Sequence, residues 1–521
     1  MLLLAAAAVT AVTATAALAD RPDHRVQRVD IVVDAGHPGP AVPRSFVGLS
    51  LELPAVAAYA GSPAHPNRAL PALLATLGAA QGSPVALRIG GNSSDESWWA
   101  PGARLSLVRP SHVRYVIGRR WLARMAWVAR ATRAPVTVGV NLAADDPARA
   151  LAFVRALRSA LPPGALRAVE IGNEPDLYTR GVTFRAGRAV VRRVARRARY
   201  GQPRYAGDVG RYAALLSSRL GRNPALAAGG FAGTAWDAVL APLLRGERGR
   251  IRALSAHAYP LDGCPPHAAI AAQRRRLLSD TASRGLAAGV ARMVAIGRRA
   301  GVAVRVTEMN SATCGGVPGI SDSFAAALWA PGALFAMARA GATGVDLHSW
   351  PGAPYAPFAF TTAHTGFTRA HARALYYGLL LFADAASGGS RLLPIHVATD
   401  GGVRAWATLT RAGQLRVVAV NPSSGHAARV TIAVRDAGAQ RAALRLLRAP
   451  GLRARDAISI GGRAIGGDGR LHGRDRAVPV VPVAGRYTFT LPAASGALLT
   501  GAPPIRSRVA SRHKRQDEAR S

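Results

Sequence analysis

The spacing of hydrophobic positions divides the chain into two regions. Between residues 45 and 350, short runs of apolar and β-branched residues alternate with longer Ala/Leu/Arg stretches in which apolar residues recur every three or four positions. The short runs predict buried strands, and the longer stretches predict helices that pack on a sheet. Eight strands are predicted, at 45–52, 84–91, 135–142, 166–174, 225–233, 251–259, 302–310 and 343–350.

Eight alternating strand and helix units predict an α/β fold of the (β/α)8 (TIM) barrel type over residues 45–374. Both faces of such a barrel sheet are covered, so its strands are continuous apolar runs. A doubly wound open sheet is the alternative. However, no G-x-G-x-x-G follows the first strand, and no glycine cluster has P-loop spacing. The barrel is therefore favoured.

After residue 375 the chain changes to short strands of alternating character separated by turn residues, which predicts an antiparallel β-sandwich domain over 375–505. The N-terminal segment 20–44 contains a strand-like run at 25–34, which we expect to join the sheet of this domain. The glycine-rich segment 459–473 is interpreted as an exposed hairpin loop rather than a phosphate-binding loop.

The two ends of the chain differ from the rest. Residues 1–19 are apolar and end in Ala17-Leu18-Ala19, which predicts a signal peptide and a secreted or extracytoplasmic protein, although no positive charge precedes the run. An N-terminal anchor is the alternative, but the run is shorter than the roughly 20 residues of a membrane span. We expect no span in the mature chain, and a basic disordered tail over 506–521.

The charge of the chain is strongly positive. Lys+Arg number 67 against 28 Asp+Glu, which gives a formal net charge of +39, and Lys514 is the only lysine. The electrostatic field of this positive charge attracts polyanions, so an acidic polysaccharide is a possible partner. Alternatively, the arginines are spread over a solvated surface and have no binding role. No basic patch interleaved with aromatic residues indicates nucleic acid, and we expect no nucleic-acid partner.

Glutamate is scarce, and its positions are informative. Of seven glutamates, Glu52, Glu174 and Glu308 end the first, fourth and seventh predicted strands. Chemistry in these barrels lies at the C-terminal ends of the strands. Glycoside hydrolysis needs one carboxylic acid to protonate the leaving oxygen and a second carboxylate at the anomeric carbon. Individually, Glu174 could cap a helix and Glu308 could pair with an arginine, but together they indicate a glycosidase.

Several motifs extend this interpretation to a family. The segments SFVGLSLE, LRIGGNSSD, VEIGNEPDLY, AHAYP and TEMNSATCGGVPGISDSFAAALW, with the trailing β-domain, resemble glycoside hydrolase family 79, the β-glucuronidase and heparanase-like group of retaining (β/α)8 glycosidases. The resemblance implies that Glu174 is the general acid/base and Glu308 the nucleophile, and that Asn173 contacts the sugar's 2-hydroxyl. We expect no cofactor and no metal.

Other residues at the strand ends are candidates for support and substrate binding. Arg88 and Tyr259 can hold Glu308 charged and oriented, although Arg88 can equally pair with Glu170 inside the barrel. The candidates for sugar contacts are Glu52, Asn92, Ser93, Asp95, Tyr259 and His348. Asn92 and Ser93 can instead shape the turn after the second strand.

Two aromatic positions at strand ends are less informative. Trp350 is either a stacking platform for a sugar or part of the barrel packing. His257 is interpreted as a hydrogen-bonding group rather than a metal ligand.

One segment departs from the family pattern. In glucuronate-specific relatives, a tyrosine and backbone amides shortly after the nucleophile hold the substrate carboxylate. Here Thr313 replaces the tyrosine, whereas Gly315 and Gly316 can still present backbone N–H groups. Cys264 and Cys314, the only cysteines, follow neighbouring strands and are predicted to form a disulfide, with two free thiols as the alternative.

The predicted function is that of an exported retaining β-glycosidase whose substrate is a carbohydrate. Hydrolysis of β-glucuronides or of uronate-containing glycans is the first choice. A β-glycosidase for a neutral sugar and a catalytically silent protein that binds polyanions or glycans are the alternatives.

Overall fold

Eight parallel strands hydrogen-bond in chain order and close into a barrel, which confirms the predicted fold class. Each observed strand lies within a predicted one. Their bounds are Val47–Leu51, Ala86–Ile89, Val136–Val140, Leu166–Ile171, Ala225–Gly229, Ile251–Ala258, Ala303–Met309 and Val345–Ser349. The barrel interior and the surrounding helices form one continuous apolar core, so strand residues are buried on both faces.

The structure is a computed structural model that describes residues 26–102, 109–180, 182–186, 189–193, 199–264, 268–362, 368–435 and 440–501. The predicted signal peptide at 1–19 and the predicted basic tail at 506–521 lie outside these ranges. Within them, no helix combines the length and the apolar character that a membrane crossing needs.

Helices surround the barrel and connect its strands. The longer ones are Ala69–Gln81, Arg119–Thr132, Pro147–Ala160, Gln202–Leu220, Leu286–Arg299, Phe324–Ala340 and Ala374–Ala385. The shorter ones are Ala55–Ala60, Ser93–Glu96, Leu240–Gly246 and Ile270–Leu277, with 3-10 turns at Pro175–Leu177 and Asp237–Val239 and a π-helical turn at Thr281–Gly285. The connections also contain three two-stranded sheets. These pair Ser97–Trp99 with Tyr115–Ile117, Val182–Ala186 with Ala189–Arg193, and Phe358–Thr362 with Thr368–Ala372.

Two sheets form the second domain. One contains Ile395–Thr399, Gln27–Asp34, Ala428–Arg435 and Arg486–Leu491 in that order. The other contains Arg391–Leu393, Arg404–Leu409, Leu415–Asn421, Ser495–Gly501, Ala442–Arg448 and Ser459–Ile460, with Val478–Val480 beside Ala442–Arg448. A separate apolar cluster fills the space between the sheets, as expected for a β-sandwich. The N-terminal strand Gln27–Asp34 pairs with two strands of this domain.

Within the glycine-rich segment 459–473, Ala464–Ile465 pairs with Leu471–His472 in a hairpin. The hairpin contacts the barrel layer, because the Ile465 N–H donates to the Tyr377 hydroxyl at 2.9 Å.

The division between the two domains lies later than residue 375. Helix Ala374–Ala385 is buried along almost its whole length and packs against the barrel helix Phe324–Ala340, so it belongs to the helical layer of the barrel. The sandwich strands begin only at Arg391. A uniformly apolar helix has no polar stripe, so its sequence lacks the spacing that marks an amphipathic helix. Trp406 of the sandwich stacks on Phe335 at 5.4 Å and joins the two domains.

Candidate active site

A bulge in the seventh barrel strand aims Glu308 into the barrel mouth. On one side, the strand pairs Val306 with Val345 and Met309 with Leu347, so three steps on the seventh strand correspond to two on its neighbour. On the other side, the register shifts at the same level and brings Glu308 opposite His257. An extra residue in a strand bends it and redirects the following side chain. Glu308 therefore faces the carboxylate that ends strand four.

A tight turn after the fourth strand positions Glu174. Its backbone has a φ of 44°, in the left-handed region, and its N–H donates to the Gly230 carbonyl at 2.8 Å. Pro175 then starts a single 3-10 turn. A non-glycine residue in this conformation costs about 1–3 kcal/mol and is typically retained where function requires it. The turn ends the strand abruptly and leaves the Glu174 side chain at the mouth.

The two glutamates approach each other closely. One oxygen of Glu174, one oxygen of Glu308 and one ring nitrogen of His257 all lie within 4.8 Å of one another. Both glutamates are mostly buried, with relative exposures of 8% and 7%. In glycosidases, short separations of about 5–5.5 Å accompany a covalent intermediate, whereas inverting enzymes keep about 6.5–9.5 Å for a water molecule. The observed spacing belongs to the short class.

Glu308 is held in its ionised form. Burial alone would raise its pKa, but positive charge on His348, His257 and Arg88 outweighs burial and holds the pKa of Glu308 well below its usual range. Tyr259 donates a hydrogen bond from its hydroxyl to Glu308 Oε1 at 2.6 Å. Burial and the Glu308 charge raise the pKa of Tyr259, so this donor stays protonated. An ionised, oriented carboxylate can act as a nucleophile.

Glu174 has the opposite electrostatic environment. Burial raises its pKa, and the charge of Glu308 raises it further, against the hydrogen bond from His257, which lowers it. His257 Nδ1 lies 3.0 Å from Glu174 Oε1. The pKa values of the two glutamates are therefore displaced in opposite directions, which is the arrangement that separates a proton donor from a nucleophile.

The guanidinium of Arg88 connects Glu308 to the barrel interior. Arg88 donates to Glu308 Oε2 and to Glu170 Oε2, both at 2.8 Å, and to Asn173 Oδ1 at 2.7 Å. Arg88 thus contacts both carboxylates that the sequence suggested as its partners, Glu308 and Glu170. Arg88 is completely buried, and the charges of Glu170 and Glu308 overcome its desolvation.

Asp95 was predicted to contact the sugar, but in the structure its carboxylate is engaged by donors within the protein. Its Oδ1 accepts the N–H groups of Leu142 and Ala143, and its Oδ2 accepts the Asn173 N–H and the Tyr178 hydroxyl. Four donors fill the carboxylate, which is 3% exposed, while burial raises the pKa of Asp95 to about 6. Asp95 therefore holds the Asn173 backbone in place, and these contacts argue against a direct contact with substrate.

The other candidates on the first two strands lie at the barrel mouth. Asn92 accepts a hydrogen bond from Asn173 Nδ2 at 3.1 Å and is half-buried. Ser93 donates to Glu52 through its backbone N–H at 2.8 Å and also through its hydroxyl. Ser93 thus shapes the turn and fixes one oxygen of Glu52. The other oxygen, Oε1, lies 3.5 Å from His348 Nε2.

His348 lies between this cluster and Glu308. Its Nδ1 lies 3.0 Å from the Ser50 hydroxyl and 3.8 Å from Glu308 Oε2. Burial alone would lower the pKa of His348, but the charges of Glu308 and Glu52 raise it.

The loop after the seventh strand contains the two glycines that were predicted to present backbone N–H groups. The Gly316 N–H donates to the Thr313 carbonyl at 3.0 Å and is not free for a substrate, whereas the Gly315 N–H has no partner among the described residues. A side chain at Gly316 would collide with Ser321 and Tyr355, so packing explains this glycine. Thr313 donates its hydroxyl to Asp262 at 2.9 Å. A disulfide joins Cys264 to Cys314 and ties this loop to the one after strand six.

Tyr355 was not predicted from the sequence, and the sequence left open whether Trp350 stacks on a sugar or packs in the barrel. Tyr355 is buried, stacks edge-on against His348 with 5.8 Å between ring centres, and has a pKa raised by burial and by Glu308. The only feature of the sequence that could have indicated Tyr355 is that it is an aromatic residue shortly after the eighth predicted strand. Trp350 is 38% exposed, which argues against a role in barrel packing.

Glu174, His257 and Glu308 have the spacing of a three-ligand metal site. Their surroundings do not fit a cation. Both oxygens of Glu308 already accept hydrogen bonds, one from Tyr259 and one from the cationic Arg88. A metal ion would have to displace these donors and lie beside a buried positive charge.

Comparison with known proteins supports the same chemistry. No family model matches the chain. A β-glucuronidase from Aspergillus niger is 26% identical over 437 residues, which cover 77% of this chain and 77% of that protein. Together with the carboxylate pair, this relationship supports a glycoside hydrolase.

Solved structures share the architecture. A 4-O-α-L-rhamnosyl-β-D-glucuronidase from Fusarium oxysporum 12S has a TM-score of 0.73 at 20% identity, covering 90% of this chain and 100% of that one. A GH51 arabinofuranosidase from Xanthomonas axonopodis pv. citri has a TM-score of 0.67 at 16% identity, covering 91% and 100%. At these identities the likeness shows the fold alone.

Proposed function

We propose that the protein is an exported glycosidase of the family 79 type that hydrolyses β-glucuronides with retention of anomeric configuration. The observation that carries the proposal is the close approach of Glu174 and Glu308 in opposite electrostatic environments. The reaction then proceeds in two displacements, each with an oxocarbenium-like transition state.

In the first displacement, the ionised Glu308 attacks the anomeric carbon while Glu174 donates its proton to the departing oxygen. A bond forms between carbon and the Glu308 oxygen as the glycosidic bond breaks. In the second, Glu174 accepts a proton from water, and the hydroxide oxygen replaces Glu308 at the anomeric carbon. Glu174 is then protonated again and Glu308 is free.

The residues around the pair explain how these steps are assisted. Arg88 and Tyr259 hold both oxygens of Glu308, so the nucleophile does not reorient before attack. Arg88 also fixes Asn173 Oδ1, and Asp95 fixes its backbone. Asn173 can then contact the 2-hydroxyl of the sugar, a contact that strengthens as charge develops.

Two donors support recognition of a uronate carboxylate. Tyr355 and Gly315 are adjacent, because the Tyr355 N–H donates to the Gly315 carbonyl at 3.2 Å. The Tyr355 hydroxyl and the Gly315 N–H both lack a partner among the described residues. The Aspergillus niger protein, which is named as a β-glucuronidase, supports the same sugar.

A neutral β-glycoside is the second candidate, because Thr313 is engaged with Asp262 and the Gly316 amide is engaged with Thr313.

Both candidates are tested with 4-nitrophenyl β-glucuronide, glucoside, galactoside and xyloside. The proposal expects cleavage of the glucuronide, loss of cleavage in Glu308→Gln, and the β-anomer as the first product seen by NMR. Glu247→Gln is the matched control, since Glu247 pairs with Arg250 outside the barrel mouth. Cleavage of neutral glycosides alone would overturn the uronate assignment, and an α-anomer would overturn retention.

A further inference from the structure

A large basin lies at the N-terminal end of the barrel, opposite the candidate active site. Its volume is about 760 Å³. Its walls are the segments that precede the first four barrel strands, together with Arg305 on the seventh. Glu174 follows the fourth strand and Glu308 lies near the C-terminal end of the seventh, so the two sites lie at opposite ends of the barrel. The basin volume is within the range of ligand pockets, about 300–1,000 Å³.

Five arginines line this basin and give it a strong positive charge. Arg305 is paired with the buried Asp346 through bonds of 2.8 and 2.6 Å. The other four are exposed and have no acidic partner among the described residues: Arg44, Arg130, Arg133 and Arg167. Asp346 neutralises only Arg305, so four positive charges face one concave space, where the field is stronger than on a convex surface.

The remaining lining indicates which anion fits. Prolines at 84, 135, 162 and 163 make the walls rigid, and Ser45 and Thr137 add hydroxyl groups. Among the described lining residues there is no carboxylate and no aromatic ring. Single-stranded nucleic acids generally bind through stacking on aromatic side chains. Arginine forks match the geometry of carboxylate and sulfate groups, and hydroxyls match those of sugars.

We propose that this basin binds a segment of an acidic polysaccharide, with Arg44, Arg130, Arg133 and Arg167 contacting its carboxylate or sulfate groups. The site is separate from the catalytic mouth, so it tethers a polymer without taking part in bond cleavage. The inference concerns binding alone and does not depend on the proposed β-glucuronidase activity.

The test measures binding of two defined probes to the full chain: a heparin-derived hexasaccharide, which carries sulfate, and a polygalacturonate hexasaccharide, which carries only carboxylate. Titration calorimetry at several NaCl concentrations compares wild type with the triple variant Arg130→Gln, Arg133→Gln, Arg167→Gln. The variant is expected to bind the preferred probe at least about tenfold more weakly than wild type. The slope of log affinity against log salt concentration should decrease in magnitude by about two to three. Which probe binds more tightly identifies the anionic group.

A matched control removes the same charge elsewhere. Arg429, Arg474 and Arg486 are exposed on the second domain, and changing all three to Gln should leave affinity within about twofold. Equal losses in both triple variants would show that binding follows net charge, and would overturn the proposal. Tighter binding of a single-stranded DNA of equal charge would overturn the assignment to a polysaccharide. Turnover of the aryl glucuronide, measured in parallel, should be unchanged in both variants, so failure of the catalytic proposal would be seen separately.

Discussion

Arg88 Nη1 lies 2.8 Å from Glu308 Oε2, and the same guanidinium holds Glu170 and Asn173. One completely buried cation thus fixes the proposed nucleophile, a carboxylate in the barrel interior, and the amide next to the proposed acid/base. The planar fork of arginine makes this triple contact possible, whereas an ammonium group presents a single centre of charge.

We therefore expect Arg88→Lys to lower kcat/KM for a glucuronide by about 10²-fold, because the nucleophile would lose its fixed orientation. Arg305→Lys is the matched control, since Arg305 also pairs with a buried carboxylate, at the other end of the barrel. Both variants should lose stability in thermal unfolding, but only Arg88→Lys should lose activity. Comparable activity in the two variants would contradict this role of Arg88.

The assigned roles of the two glutamates predict different responses to the leaving group. Glu174→Gln should retain partial activity on 2,4-dinitrophenyl glucuronide, because this leaving group needs little proton assistance, and should lose it on an alkyl glucuronide. Glu308→Gln should be inactive on both. Steady-state rates across a series of aryl leaving groups measure the difference. Equal losses for both variants across the series would be inconsistent with the assignment.

The pH profile should reflect the displaced pKa values. The proposed mechanism requires Glu308 to be ionised and Glu174 to be protonated. A lowered pKa of Glu308 places the acid limb of kcat/KM below the usual carboxyl range, and a raised pKa of Glu174 places the alkaline limb above it. Activity is thus lost at low pH when Glu308 gains a proton, and at high pH when Glu174 loses its own.

His257 offers a way to move the alkaline limb. Its hydrogen bond lowers the pKa of Glu174, so His257→Leu should raise that pKa and shift the alkaline limb upward. His257→Asn, which can place a donor near the original Nδ1 position, should shift it less. The kcat/KM profile is measured for all three proteins on one substrate. A downward shift in His257→Leu would contradict the electrostatic argument.

Asp95 is predicted to act on activity through Asn173. In Asp95→Asn, an amide NH2 must face backbone N–H or hydroxyl donors, so the variant should lose about 1–3 kcal/mol of unfolding free energy and also lose kcat. Asn92→Ala is the comparison, because Asn92 lies at the mouth and is half-buried. It should raise KM with little change in melting temperature. If Asp95→Asn raised KM without lowering kcat or stability, the result would support a direct contact between Asp95 and the sugar.

The sequence predicted the barrel because its strands are continuous apolar runs between turn residues, and it predicted the glutamate pair because the ends of parallel strands meet at one mouth. The bulge before Glu308 was not predictable, because one additional residue leaves an apolar run unchanged. The true partners of Asp95 also escaped prediction, since Leu142, Asn173 and Tyr178 come from two other strand ends. The arginine basin was equally hidden, because its members are spread over four segments of the chain.

The position of the N-terminal strand has a consequence for biosynthesis. Gln27–Asp34 lies between Ile395–Thr399 and Ala428–Arg435 in the middle of a sheet. During translation this early segment must wait, with its edges unpaired, until some 400 later residues have emerged. Fragments that begin inside the barrel should therefore leave a gap in the sandwich and aggregate, and a chaperone that shields the first strand should improve the yield of the whole protein.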